Sequence, residues 1–546
     1  MKVKNKTKWI GASAACIMAL GGTSSVAMAG TTSNMWPVKP APVTANAAIN
    51  LRVSLDNLLA QHAVLAIEAM EAGYDNAPDY HDWVNLLNQN TDALSNAIAS
   101  IYGAQAGQEF KSMWNAHIQD FVNYVVATVK DDPAGQQAAL NALQQYEVNF
   151  AKFLASANPY LNEQAVQDGL RQHVQELLTA FTDYVNKDYT DMAQELVQAY
   201  NHMFMVGDAL AGAIVKQFPQ KFGTASPDTA AANLRVTLDQ LLALHADLAN
   251  LAMEAGYSGA GDFQALAGAL GQNTDQLSNA YGSVYGAQAG AEYKQFWTDH
   301  INDFVNYVVA TAKNDASGRQ QAVNALEDYK VHFAEFLASE NPNLSVQTLE
   351  NGLETHIDEL LATFNDYVNQ DYADSASEFA MSYNHMFMTG DALAAAIVSQ
   401  YPTKFESASD TWTWTGISLE VNGQAWKMPL GVWGVNPATN QSEQYVPIWY
   451  VMQVLDKLNI HNSWNGHEWM IQTSGSYNWN SKFSGGYITL DINGQVVGMA
   501  NGTVLVDPYS HKPTTFMAMS DVAKILNDLG LKYTWGGSTL NIMTSM

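Results

Sequence analysis

The chain repeats itself without a gap. At a constant offset of 183, residues 51–222 return as residues 234–405, and more than half of the positions are identical. Leu51-Arg52-Val53 matches Leu234-Arg235-Val236, Asp120 to Tyr124 matches Asp303 to Tyr307, and Asn201-His202-Met203-Phe204-Met205 matches Asn384-His385-Met386-Phe387-Met388. A duplication of this length makes two copies of one domain the first constraint on any fold.

Within each copy the apolar residues recur at helical spacing. Leu51, Leu55, Leu58, Leu59 and Leu65 trace a first helix, and Phe110, Met113, Trp114, Phe121 and Val125 trace a third. Asp132-Pro133 opens a fourth, Asn158-Pro159 closes it, and two more run to Pro219. Six helices joined by short turns predict an antiparallel helical bundle, so the fold class is two tandem all-α bundles at 51–222 and 234–405. Residues 30–50 and 223–233 read as linkers, and the unbroken duplication predicts that each copy is a self-sufficient unit.

Residues 1–29 read as an export signal: Lys2, Lys4, Lys6 and Lys8 precede an apolar stretch from Trp9 to Leu20, and Ala27-Met28-Ala29 offers a cleavage site. The single cysteine, Cys16, lies inside it, so the mature chain is expected to be secreted and without disulfides. The formal net charge is −28, which disfavours any nucleic-acid partner. No later stretch is long and apolar enough to predict a transmembrane segment.

After residue 406 alternation replaces helical spacing. Asn422-Gly423 and Asn493-Gly494 sit between strand-like runs. Tyr445-Val446-Pro447 leads into a helix through Val454-Leu455, with Trp469 beyond it; a second half runs from Tyr487 to Ile492 through a helix opened by Ser520 to Trp535 and Leu540-Asn541-Ile542. This pattern resembles the copper amine oxidase N-terminal-like (stalk) domain of secreted Gram-positive bacterial proteins. The resemblance implies an α/β module of two strand-hairpin/helix half-repeats at 406–546, usually found without any oxidase. The helical copies, with their His-Met-x-Met segments, look like an uncharacterised family of secreted helical domains. The oxidase's cofactor needs a Tyr between Asn and an acidic residue, and its copper needs a His-x-His pair; here Asn123-Tyr124 and Asn306-Tyr307 are each followed by Val, and His-x-His does not occur. No enzyme is expected. Trp412, Trp414, Trp426, Trp433, Trp449, Trp464, Trp469, Trp479 and Trp535 invite a cell-wall glycan as partner, with another surface protein as the alternative.

Histidine carries the remaining signal. His62, His117, His173 and His202 recur as His245, His300, His356 and His385, each on the apolar stripe of its helix. Helices one, three and five should run the same way with their histidines level. Two readings follow. Either the imidazoles converge on copper or another transition metal, with Met203, Met205, Met386 and Met388 as possible thioether ligands, or each histidine is a buried polar group bonded to a separate partner. Asp120 and Glu176, with Asp303 and Glu359, are candidate partners for the imidazoles. The expected function is a secreted, non-catalytic structural or binding protein, the alternative being metal binding or storage through one histidine cluster per copy.

Overall fold

The computed structural model describes residues 42–223, 226–405, 413–436, 441–465, 468–473, 483, 488–506, 513–536 and 539–543. The export signal, Trp412 and Trp479 lie outside them, as do residues 406–410, whose small and polar side chains read as a further linker. The described chain forms two units, one ending at Phe405 and one beginning after it.

The first copy consists of α1 (Ala47–Asp75), α2 (Tyr80–Tyr102), α3 (Ala104–Val129), α4 (Pro133–Ala157), α5 (Glu163–Asn186), α6 (Tyr189–Gln217) and a single turn, α7 (Pro219–Phe222). The second repeats it as α8 (Ala230–Ser258), α9 (Phe263–Tyr285), α10 (Ala287–Ala312), α11 (Ala316–Glu340), α12 (Val346–Val368), α13 (Tyr372–Gln400) and α14 (Pro402–Phe405). The breaks follow local chemistry. Asn46 caps α1 by accepting from the Ile49 amide at 2.9 Å, Asp132 caps α4 with Pro133 in the first turn, and Asn162 caps α5. α1 and α8 thus begin inside segments expected to be linkers.

α1 is buried on nearly every side, and small residues let its neighbours approach: Ala60, Ala63 and Ala66 are all buried. Its closest approach is to α6, where Gly207 faces Asp56. A Cβ on Gly207 would lie 2.1 Å from Asp56 Oδ1, and one on Gly390 would lie 2.3 Å from Asp239 Oδ1 in the second copy.

The two copies share one continuous apolar core. Their interface is reciprocal. The Tyr200 hydroxyl donates to the Gln240 carbonyl at 3.0 Å, and the Tyr383 hydroxyl donates to the Asn57 carbonyl at 3.0 Å. Arg52 grips Asp208 of its own copy and donates to Asn233 Oδ1 at 2.6 Å; Arg235 grips Asp391 and donates to Asn50 Oδ1 at 2.8 Å. Phe204 and Phe387, one from each copy, stack at 6.3 Å. Every one of these contacts has its mirror at the offset of the repeat, so the copies pair as an isologous dimer fused in one chain. The interface also gathers carboxylates. Burial, then Glu68 and Asp262, pushes Glu71 well above the usual range, and burial, then Asp79 and Glu68, does the same to Glu254.

The second unit carries β1 (Thr413–Gly416), β2 (Ser418–Val421), β3 (Gln424–Lys427), β4 (Leu430–Asn436), β5 (Gln441–Pro447), α15 (Ile448–Lys457), β6 (His461–Trp464) and β7 (Glu468–Gln472). Its second half follows as β8 (Ile488–Ile492), β9 (Gln495–Ala500), β10 (Gly502–Val506), β11 (Pro513–Ala518), α16 (Met519–Asp528), β12 (Lys532–Trp535) and β13 (Thr539–Met543). Sheet orders are β1-β4-β5-β11-β10, β12-β13-β2-β3 and β6-β7-β8-β9. The halves interleave, since β7 runs parallel to β8 and β13 parallel to β2. Both expected Asn-Gly turns are present, with φ of 53° and 78° at Asn422 and Gly423 and 56° and 83° at Asn493 and Gly494. Trp469 is wholly buried and donates from Nε1 to Asn462 Oδ1 at 2.9 Å.

Two predictions follow from the packing. Gly207→Ala forces apart α1 and α6 and should cost about 1–3 kcal/mol, read as a lowered denaturant midpoint with an unchanged m-value. Residues 42–223 expressed alone should associate through the face that otherwise meets the second copy. Light scattering should give the mass of a dimer, and a monomer melting as high as the full helical region would disprove the interface's importance.

Candidate metal centre

α1, α3 and α5 deliver His62, His117 and His173 to one place in the bundle interior. Each ring offers a nitrogen, and the three nitrogens lie within 4.8 Å of one another. Ring centroids are 5.4 Å apart for His62 and His117, 5.7 Å for His62 and His173, and 6.3 Å for His117 and His173. The second copy rebuilds the cluster from His245 on α8, His300 on α10 and His356 on α12, with centroid separations of 5.2, 5.8 and 6.2 Å. There the Nε2 atoms of His245 and His300 approach to 3.2 Å. Ligands around one zinc or copper ion, each about 2 Å from it, stand roughly 3–4 Å from one another, so both clusters need only a small contraction.

All six rings are at most 2% exposed. Neither ring nitrogen of His62, His117, His173 or His356 has a well-formed hydrogen bond, nor has Nδ1 of His245 or His300, among the described residues. The surroundings explain why. Trp114 packs 4.7 Å from both His62 and His117, and Tyr146 stacks on His117 at 4.5 Å. Trp297 and Tyr329 repeat this cage around His245 and His300. A buried polar group without a partner costs about 1–3 kcal/mol. Three neutral imidazoles facing one another, twice over, are therefore expensive unless something accepts their lone pairs.

Burial holds the rings neutral. It pushes His62 and His173 well below the ordinary value, and the neighbouring histidines add to the shift; His245 and His356 behave alike. For His117 burial lowers the pKa to about 3, opposed by the Trp114 carbonyl, and for His300 to about 4, opposed by the carbonyls of Phe296 and Trp297. These carbonyls favour a proton on the imidazole although their geometry falls short of a full hydrogen bond at Nδ1. The state preferred at neutral pH is the one a metal requires.

The fourth histidine of each copy is placed elsewhere. His202 Nδ1 bonds Glu176 Oε2 at 2.7 Å and His385 Nδ1 bonds Glu359 Oε2 at 2.8 Å, so these carboxylates serve helix-six histidines and not the clusters. Asp120 lines a separate outer groove with Asn123 and Lys130. Met205 is 43% and Met388 57% exposed, away from the buried triads, while Met203 and Met386 are core residues. The residue that sequence reasoning missed is the Trp114/Trp297 pair. Its signal was present: Trp114 and Trp297 stand three residues before His117 and His300, on the same helical face. In the α/β unit Trp433 and Trp449 are 40% and 55% exposed, and Trp469 belongs to the core.

The titration has a testable sign. Above the unfolded value of 6.5 the neutral rings cost nothing by protonation; as pH falls through 6.5 towards 3, the unfolded chain takes up protons that buried His117 refuses. In metal-free protein His117→Leu should therefore gain stability relative to the parent as pH falls from 6.5 to 4, with a constant difference above 7.5. Denaturation at several pH values measures it, and a difference independent of pH would show that His117 titrates normally in the fold. Comparison with family models, curated proteins and solved structures finds no match to this chain.

Proposed function

We propose that this chain is a non-catalytic transition-metal-binding protein holding one ion in each helical copy. The observation that carries the reading is the pair of buried three-histidine clusters whose ring nitrogens have no other well-formed partners. An all-imidazole set suits copper or zinc and not calcium or magnesium, which take oxygen ligands. His62, His117 and His173 hold the first ion, and His245, His300 and His356 hold the second.

Holding fits better than turnover. Trp114 and Tyr146, with Trp297 and Tyr329, pack on the rings, and the carboxylates of Glu176 and Glu359 are committed to His202 and His385. Tyr146 and Tyr329 stack on His117 and His300, but burial pushes both hydroxyls well above their ordinary range, which disfavours proton exchange near neutral pH. Together with the export signal read from the sequence, this describes an extracellular protein that sequesters or stores metal. Among the described residues no helix is long and apolar enough to cross a membrane. The α/β unit, with its resemblance to a stalk domain, would attach the helical unit to a surface glycan or protein.

Elemental analysis of the full chain after loading with copper or zinc should find one ion per copy. His117→Leu should lose half of the bound metal, and His117→Leu with His300→Leu nearly all. Without metal, the same variants should be as stable as the parent or more so at pH 7.5, because each removes a poorly satisfied polar group. Destabilised variants, with no metal bound by the parent, would instead establish these histidines as structural.

A further inference from the structure

The first copy contains a cavity of about 380 Å³ whose inner end is formed by His62 and His117. It lies between α1, α2 and α3 and passes under the turn from Asn76 to Pro78. Its walls are apolar, among them Met70, Leu87, Phe121 and Val125, and its outer end carries Tyr80 and His81. Direction follows from burial: the two inner histidines are wholly buried, whereas His81 is exposed.

Three properties favour a ligand site over a packing defect. First, its size lies in the range of small-molecule pockets, and a cavity of about 150 Å³ already admits benzene. Second, a long apolar wall with a few convergent polar groups is what fixes the orientation of an apolar molecule with one polar head. Third, those polar groups, the rings of His62 and His117, have no well-formed hydrogen bond at any nitrogen. A metal held by three histidines also keeps a coordination position for a non-protein donor.

We propose that this cavity binds a compact, mostly apolar molecule of one or two rings, with a nitrogen or carboxylate donor directed at the His62–His117 end. The part of this proposal that places the donor on the ion rests on the metal reading above; the fit of the ring to the cavity does not. The assignment is to the first copy. The inner residues recur in the second, but the outer ones do not: Pro78, Tyr80, His81 and Val84 become Gly261, Phe263, Gln264 and Ala267. The Tyr189 ring also lies so close over Gly261 that a Cβ there would be 2.5 Å away.

The test uses 4-phenylimidazole as probe on the full chain. Cobalt content is measured after Co(II) loading, the visible bands are followed during titration, and calorimetry is run in parallel on the metal-free chain. The expected result is a saturable shift of the cobalt bands. Val122→Trp and Ala69→Phe, each narrowing the cavity away from the histidines, should weaken probe binding by at least about tenfold, or about 1.4 kcal/mol. Both should leave cobalt content and melting temperature unchanged, and either one that folds suffices. Cobalt bound without a band shift, and no heat in either form, overturns the proposal, as does equal affinity in the folded wall variants. If cobalt is not taken up but the metal-free chain binds the probe and the wall variants weaken it, the cavity stands and the metal reading falls.

Discussion

One helix in each copy is buried on nearly every side, and the rest of the helical unit is arranged around that fact. α1 packs against α2, α3, α5 and α6 of its own copy and touches α8 of the other. A helix so enclosed has no wet face on which to place polar groups, so each one it carries must be answered from a neighbour. Arg52 is answered by Asp208 and by Asn233 of the second copy, and Asp56 sits beside Arg52 against a residue with no side chain. His62 is answered only by the two histidines that α3 and α5 bring to its level. The closeness of α6, the reciprocal pairing of the copies and the triads are thus three responses to one buried cylinder.

Much of this was legible in the sequence, and the illegible part has a definite cause. The duplication gave two bundles of six long helices, and equal spacing placed His62, His117 and His173 level with one another. Periodicity reports which face of a helix is apolar, but not which neighbour that face meets. His202 shares its helical stripe with core residues and still turns to Glu176 on α5. Met205, one residue beyond Phe204, points outward although its neighbour is buried. The inter-copy interface was hidden for a related reason. Tyr200 and Phe204 look like ordinary core residues, and nothing local says that part of the core belongs to the other copy.

Acid and base pull on this molecule from opposite directions. The buried histidines favour folding above their unfolded pKa, and protonation of the unfolded chain erodes that advantage below it. Burial raises Asp56, Asp239, Asp247, Glu71 and Glu254, so these stabilise the fold below the unfolded carboxylate range and lose that contribution as pH rises through their folded values. Metal on the imidazoles does not remove the first penalty, because the unfolded chain still takes up protons below its own pKa while the ligand nitrogens do not. The raised carboxylates pull the other way, so the two sets of buried groups bound the pH range of the fold from opposite sides.

The interleaving of the α/β unit has a consequence of another kind. Each of its two four-stranded sheets is completed by a parallel seam, β7 on β8 and β2 on β13, and each seam joins a hairpin of one half to a hairpin of the other. Nothing in such a seam requires that both hairpins come from one polypeptide. A unit that opens between its halves offers the same registers to any other copy opened in the same way, and two chains can close on each other without one new contact. The backbone pairing that folds the module is therefore the same pairing that two exchanged chains would share.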